Sequence, residues 1–174
     1  MIFRPAILSA LITSLLILGR PAAAQISIYG ELTGAQLTNL VGTSVLFGPT
    51  VGVTDTLVRR IHIEAGIDLR GSFLGASKRL DGVAGGPVVS FWARGIRPYA
   101  EFLVGYAHSN GGLSTPYSAA SDAQIEVIFG IDKELNRHIY WRVFEYSYEQ
   151  YYALGGEFNP KNFSTGLVYR FRLP

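Results

Sequence analysis

Apolar and polar positions alternate from Ile61 to Phe73. Ile61, Ile63, Ala65, Ile67, Leu69 and Phe73 fall on one face, and His62, Glu64, Asp68, Arg70 and Ser72 on the other. A period of two marks a β-strand, whose successive side chains point to opposite faces. The polar face is heavily charged over a run too long for an ordinary sheet edge. A strand that is apolar on one side and ionic on the other suits a barrel in lipid, with the apolar set outside and the charges within. The same rhythm recurs on both sides of this segment, and no stretch after Leu18 has the length of a membrane helix or a sustained helical period.

Eight segments carry the rhythm: Ser27 to Leu37, Ser44 to Val53, Ile61 to Phe73, Val88 to Ala93, Pro98 to His108, Gln124 to Asp132, Ile139 to Tyr151 and Asn162 to Phe171. The expected fold is therefore all-β, an eight-stranded antiparallel up-and-down transmembrane β-barrel, the smallest usual size in the outer membrane. The connections expected at Thr54 to Arg60, Arg94 to Arg97 and Lys133 to His138 are short. Those at Gly75 to Pro87, Ser109 to Ala123 and Ala153 to Lys161 are longer and rich in Gly, Ser and Asn, while Thr38 to Thr43 is short again. Short periplasmic turns and longer outer loops are the pattern of such barrels, and an even strand number brings both termini to the periplasm. In the fifth strand Ala100, Phe102, Val104 and Tyr106 are expected to face lipid, with Glu101, Leu103 and Gly105 inside. In the sixth, Ile125, Val127, Phe129 and Ile131 face out and Gln124, Glu126 and Gly130 in. Pro49 has no N–H for the ladder, so a bulge or local break is expected in the second strand.

Composition adds export. Arg4, the apolar run Ala6 to Leu18 and the small residues Ala22-Ala23-Ala24 read as a signal peptide over residues 1–24, leaving a barrel domain over 25–174. The apolar run is shorter than the ~20 residues that a spanning helix needs. Cleavage removes Arg4 and Arg20 and no acid, so the 15 basic and 13 acidic residues of the full chain become 13 and 13. A formally neutral mature chain without a basic stripe argues against nucleic acid as a partner. The absence of Cys excludes disulfides and thiolate chemistry.

Near the C-terminus, Val143-Phe144-Glu145-Tyr146-Ser147-Tyr148 and Asn162-Phe163-Ser164-Thr165-Gly166-Leu167-Val168-Tyr169-Arg170-Phe171 resemble the last two strands of the outer membrane protein A-type β-barrel domain, among the small barrels grouped as porin-like. The resemblance implies that Glu145 points into the barrel and pairs with an interior base. Arg170 is the nearest candidate in sequence, with Arg70 and Arg94 as alternatives. It also implies that Tyr169 and Phe171 form a C-terminal signal for the barrel-assembly machinery, with periplasmic chaperones as transient partners. The chain continues through Arg172, Leu173 and Pro174, so Phe171 is not terminal. No peptidoglycan-binding domain is expected after the barrel, and no cell-wall tether is implied.

The main candidate constellation is interior charge: Glu31, Glu64, Asp68, Glu101, Glu126, Glu145 and Glu149 against Arg70, Arg94, Arg170 and His62. Paired carboxylates can serve acid–base chemistry, and a charged lumen can conduct ions. An eight-stranded barrel is, however, only wide enough for side chains to fill, so the expectation is a hydrogen-bonded plug. His108-Ser109-Asn110 is the one catalytic lookalike, since lipid A deacylases use a His and a Ser on a small barrel. Adjacent strand residues point to opposite faces, which separates His108 from Ser109. His62, His108 and His138 lie on separate segments, and no metal or other cofactor is expected. Arg59, Arg60, Arg94, Arg97, Lys133 and Arg137 crowd the expected periplasmic turns, where anionic headgroups of the inner leaflet are candidate partners. Phe144, Tyr146, Tyr148 and Tyr152 read as lipid-facing wall.

The expectation is thus a monomeric, non-enzymatic barrel in the outer membrane of a Gram-negative-type bacterium, embedded in outer-membrane lipids, with a structural role or a minor or gated porin activity. The alternatives are a soluble secreted lipocalin-like binder, which inverts every face, and a lipid A-modifying enzyme.

Overall fold

The computed structural model describes residues 25–39, 42–75, 79–110, 120–151 and 159–171. The expected signal peptide lies outside the described residues, as do Tyr152 and Arg172 to Pro174. Eight strands, β1 (Gln25–Asn39), β2 (Gly42–Arg60), β3 (Ile63–Gly75), β4 (Arg79–Phe91), β5 (Ile96–Asn110), β6 (Ala120–Glu134), β7 (Ile139–Tyr151) and β8 (Lys161–Arg170), follow one another around a closed barrel. Each pairs antiparallel with its neighbour in sequence, and β1 closes on β8 through pairs running from Ser27↔Arg170 to Gln36↔Lys161. The shortest strand has 10 residues and the longest 19, enough to cross a bilayer, which needs about 9–11 residues of tilted strand. Among the described residues no helix is long and apolar enough to cross a membrane.

Several strands outrun their sequence boundaries. Expected only over Val88 to Ala93, β4 begins at Arg79, so most of the expected Gly75 to Pro87 loop is strand. Its glycines serve close packing: a Cβ on Gly86 would sit 2.2 Å from the Phe102 carbonyl oxygen of β5. Pro87 pairs with Ile67 on β3, while the β4–β5 pairing skips from Gly85↔Val104 to Val88↔Glu101. Pro49 behaves likewise, pairing with Leu32 while the β2–β3 ladder skips from Phe47↔Gly75 to Thr50↔Ser72 without a register shift. The local break expected at Pro49 is therefore present without a bulge.

The turns near the chain termini, here called the terminal end, are tight. Thr54 to Arg60 is strand, not connection, and the β2–β3 turn is Ile61–His62, with Ile61 in the left-handed region at φ 44°. Arg94 (φ 48°) and Gly95 (φ 81°) turn β4 into β5 while Ala93 and Ile96 exchange two backbone hydrogen bonds of 2.9 Å. Two successive positive φ values are the type I′ hairpin geometry that matches strand twist. At the distal end, nine residues separate β5 from β6 and nine separate β7 from β8, whereas β1–β2 and β3–β4 are joined by two and three. Two of the distal connections are long, not three.

The faces follow the period. Ile63, Ile67, Leu69 and Phe73 of β3 are exposed on the exterior, while Glu64, Asp68 and Arg70 are buried; Ile67 is 53% exposed and its neighbour Asp68 0%. The exterior of β5 and β6 carries Phe102, Val104, Tyr106, Phe129 and Ile131. A soluble binder would show the reverse arrangement, so that alternative is overturned.

One irregularity matters for the interior. On β7 the pairing shifts between Arg142 and Glu145: Val143 and Phe144 both lie outside, and Arg142 and Glu145 both lie inside. This β-bulge lets one strand present two charged residues to the same space.

Candidate functional site

The interior is filled in tiers. At the distal end Leu37, Leu46, Leu74 and Leu80 pack with Ala35, Ala107 and Tyr151 as an apolar layer. Below it Thr33 bonds Thr50 (2.8 Å) and Ser164 (2.9 Å) across β1, β2 and β8. The middle is a charge network. Near the terminal end Trp92 and Tyr140 meet edge to face at 5.5 Å beneath the Arg170 guanidinium.

Glu145 is the hub of the network. Arg70 donates to both its oxygens (2.9 and 3.2 Å), Arg142 donates from Nη1 (2.9 Å), and the Tyr99 hydroxyl also donates to it. Arg70 reaches Glu101 as well at 3.2 Å, with Glu126 at 3.6 Å and Asp68 at 3.7 Å. Arg142 donates to Asp132 (3.0 Å) and to Glu31. Its guanidinium lies between the rings of Tyr29 and Tyr99, 4.5 Å from each centroid, so a planar cation is held on both faces as well as at its edges. The network ties β1, β3, β5, β6 and β7 together across the lumen.

Both tyrosines lie over glycines. A Cβ on Gly52 would come within 2.3 Å of the Tyr29 ring, and one on Gly130 within 2.2 Å of the Tyr99 hydroxyl oxygen. Only a residue without a side chain leaves room for each ring to lie along the wall and reach Arg142. The Tyr29 hydroxyl donates to Asp68 at 2.7 Å, as does that of Thr54.

A second cluster lies towards the terminal end. Arg170 donates to Glu64 at 2.6 Å, and Arg97 sits 3.6 Å from the same carboxylate while bonding Asp132. Asp132 thus links the two clusters, since it accepts from both Arg97 and Arg142.

All seven interior residues named from the sequence, Glu64, Asp68, Arg70, Glu101, Glu126, Glu145 and Arg170, are buried, as are Glu31 and Glu149. The partners differ from the nearest-neighbour choice. Glu145 is level with Ser164, and Arg170 is six residues further along β8, about 20 Å away at ~3.3 Å per residue. Arg70 is the partner instead, reached across the lumen. Arg94 and His62 are not interior: both lie in exposed turns, His62 against Phe91 at 5.9 Å. Arg97 is not an exposed turn residue but a buried one, while Arg59, Arg60, Arg94, Lys133 and Arg137 are exposed at the terminal end.

Three charged members of the network, Arg97, Asp132 and Arg142, were not placed in the interior from the sequence. Arg97 shares the phase of Glu101 and Leu103 on β5, and Asp132 that of Gln124 and Glu126 on β6; counting by two would have found both. Arg142 is out of phase with Glu145 because of the bulge, and counting back from Glu145 sends it to lipid.

His108 is exposed on the exterior and Ser109 buried on the opposite face. His108 Nδ1 instead lies 2.7 Å from Ser121 Oγ across the β5–β6 ladder. The Asn110 side chain lies outside the described residues. Tyr169 and Phe171 both point outwards at the terminal end, with ring centroids 4.8 Å apart.

No protein-family model matches the chain, and no curated protein matches it. Solved structures do. Neisserial surface protein A is 14% identical with a TM-score of 0.60, aligned over 84% of this chain and 97% of its own. The attachment invasion locus protein Ail of Yersinia pestis is 14% identical with a TM-score of 0.58, over 85% and 99%. The N-terminal β-barrel domain of Pseudomonas aeruginosa OprF is 14% identical with a TM-score of 0.54, over 85% and 99%. What they share with this chain is the fold. With its lipid-facing exterior, that fold makes the chain a small eight-stranded β-barrel of the cell outer membrane, similar to the outer membrane protein A-type barrels.

Proposed function

We propose that the chain is a structural component of the outer membrane, a monomeric barrel closed to solutes by its own interior and without enzymatic activity. The observation that carries this reading is the Glu145 hub, whose ion pair to Arg70 crosses the lumen from β7 to β3 while Arg142 pairs with it from the same strand. The distal leucine layer supports it, because an apolar layer above a charged one opposes the entry of water and ions.

A minor gated porin is the second reading. It draws on two polar cavities of about 10 Å³, each with room for roughly one water molecule, one lined by Arg70 and Glu126 and the other by Arg142 and Glu101. Rotation of the two arginines away from Glu145 is the opening step that this reading requires. Under either reading Arg59, Arg60, Arg94, Lys133 and Arg137 hold anionic headgroups on the periplasmic side, and Tyr169 with Phe171 serves recognition by the assembly machinery and its chaperones. The His108–Ser121 contact is read as a polar pair of the outer rim.

Proteoliposome swelling tests the reading. Vesicles containing the folded protein are expected to swell in a pentose solution no faster than protein-free vesicles. Swelling as fast as with an open porin would refute the closed interior.

A further inference from the structure

Among the described residues, nine buried acids face four buried arginines. The imbalance is greatest beside the hub, where Glu126 and Glu149 lie directly opposite each other on β6 and β7. Like charges in opposed positions repel, and a buried carboxylate without a compensating charge is costly. Arg70 comes no nearer to Glu126 than 3.6 Å and gives its short contacts to Glu145. Glu149 accepts from two neutral donors, the Tyr151 hydroxyl and the Asn162 amide.

A second observation concerns neutral groups. Gln124 and Asn162 are 4% and 3% exposed, and the side-chain carbonyl oxygen of each has no hydrogen-bond partner. The Asn162 orientation is fixed by its NH₂ group, which donates to Glu149 and, at 3.0 Å, to Ser147. Both amides line the same polar cavity as Glu126 and Glu149, a space of about 10 Å³. Unpartnered acceptors beside two carboxylates call for an occupant that offers positive charge and needs no acceptor of its own.

We propose that Glu126, Glu149, Gln124 and Asn162 hold one divalent, calcium-sized cation inside the barrel. Two carboxylates match its charge, and carboxylate and amide oxygens are the hard donors it prefers, at about 2.3–2.6 Å. No three His, Asp or Glu side chains among the described residues converge as a metal site, so amide oxygens complete the set here. A water molecule would satisfy the amide oxygens but leave the facing carboxylates unbalanced. The ion would tie β6 and β7 to β8, a role independent of whether the barrel conducts.

The test uses the full mature protein folded in detergent, stripped with EDTA and melted in choline chloride, sodium chloride or calcium chloride at equal ionic strength. Above the dissociation constant, each tenfold increase in calcium is expected to raise the midpoint by about 3–6 °C, and sodium is expected to match choline. Glu149→Gln should abolish the response. Gln124→Met, which leaves both carboxylates in place, should weaken it and guards against a Glu149 variant that fails to fold. Terbium offers a direct reading, because its emission excited through the adjacent Tyr151 should fall in Tyr151→Phe. Equal midpoints in all three salts, a sodium shift equal to that of calcium, or an unaltered calcium response in Gln124→Met would overturn the site. Stabilisation by acid alone would assign the carboxylate pair a shared proton instead.

Discussion

Arg142 and Glu145, three residues apart on β7, point the same way and are joined by a 2.9 Å hydrogen bond. The bulge at Val143 and Phe144 makes this possible, and the two side chains bring Glu31, Asp132, Arg70 and Tyr99 into one connected group. Removing one partner of a buried ion pair leaves its neighbours uncompensated. Arg142→Gln is therefore expected to destabilise the barrel by about 3–5 kcal/mol in urea unfolding from lipid vesicles. Arg142→Lys should retain part of the loss, because an ammonium cannot reproduce the planar stacking between Tyr29 and Tyr99. A Lys variant as stable as wild type would show that stacking contributes nothing.

Gly130 leaves room for the Tyr99 ring, so Gly130→Ala should displace Tyr99 from both Glu145 and Arg142. A loss of about 1–3 kcal/mol is expected, typical of overpacking. Gly30 provides the control: a Cβ there meets nothing within 4 Å, and Gly30→Ala should be neutral in the same unfolding measurement.

The exterior was legible in the sequence because lipid demands an unbroken apolar face, and strict alternation over β3, β5 and β6 displays it. What escaped had local causes. Gly82, Gly85, Gly86 and Pro87 look like loop punctuation, but on β4 Gly85 and Gly86 permit close approach to β3 and β5, and Pro87 falls in a tolerated gap of the β4–β5 ladder. Arg142 was hidden by a one-residue shift of phase. The partner of Glu145 was illegible because ion pairs across a lumen follow level, not sequence distance, and level depends on the register of every intervening strand. Arg170 is near in sequence but belongs to the terminal-end cluster with Glu64 and Arg97.

The facing of β3 can be tested at two adjacent residues. Ile67→Arg, which puts a cation on the lipid side, is expected to cost ~2–4 kcal/mol of folding stability in lipid. A cysteine at position 67 should react with lipid-soluble labels and resist water-soluble ones. The reverse labelling would invert the barrel wall.

Ile61 is a β-branched residue at φ 44° with 90% of its surface exposed, so it contributes strain and little burial. A left-handed conformation costs an L-residue roughly 1–2 kcal/mol, which glycine avoids. Ile61→Gly should raise stability by about 1 kcal/mol in the urea midpoint. A decrease would mean that Ile61 gains more from the membrane interface than it loses in backbone strain.

Current through a single barrel in a planar bilayer measures most directly whether the interior is closed. The wild-type protein is expected to hold a flat baseline at moderate voltage, and Glu145→Gln, which weakens the grip of the hub on Arg70 and Arg142, is expected to produce discrete opening steps. Steady open-channel current from the wild type, unchanged in Glu145→Gln, would contradict a lumen closed by that network.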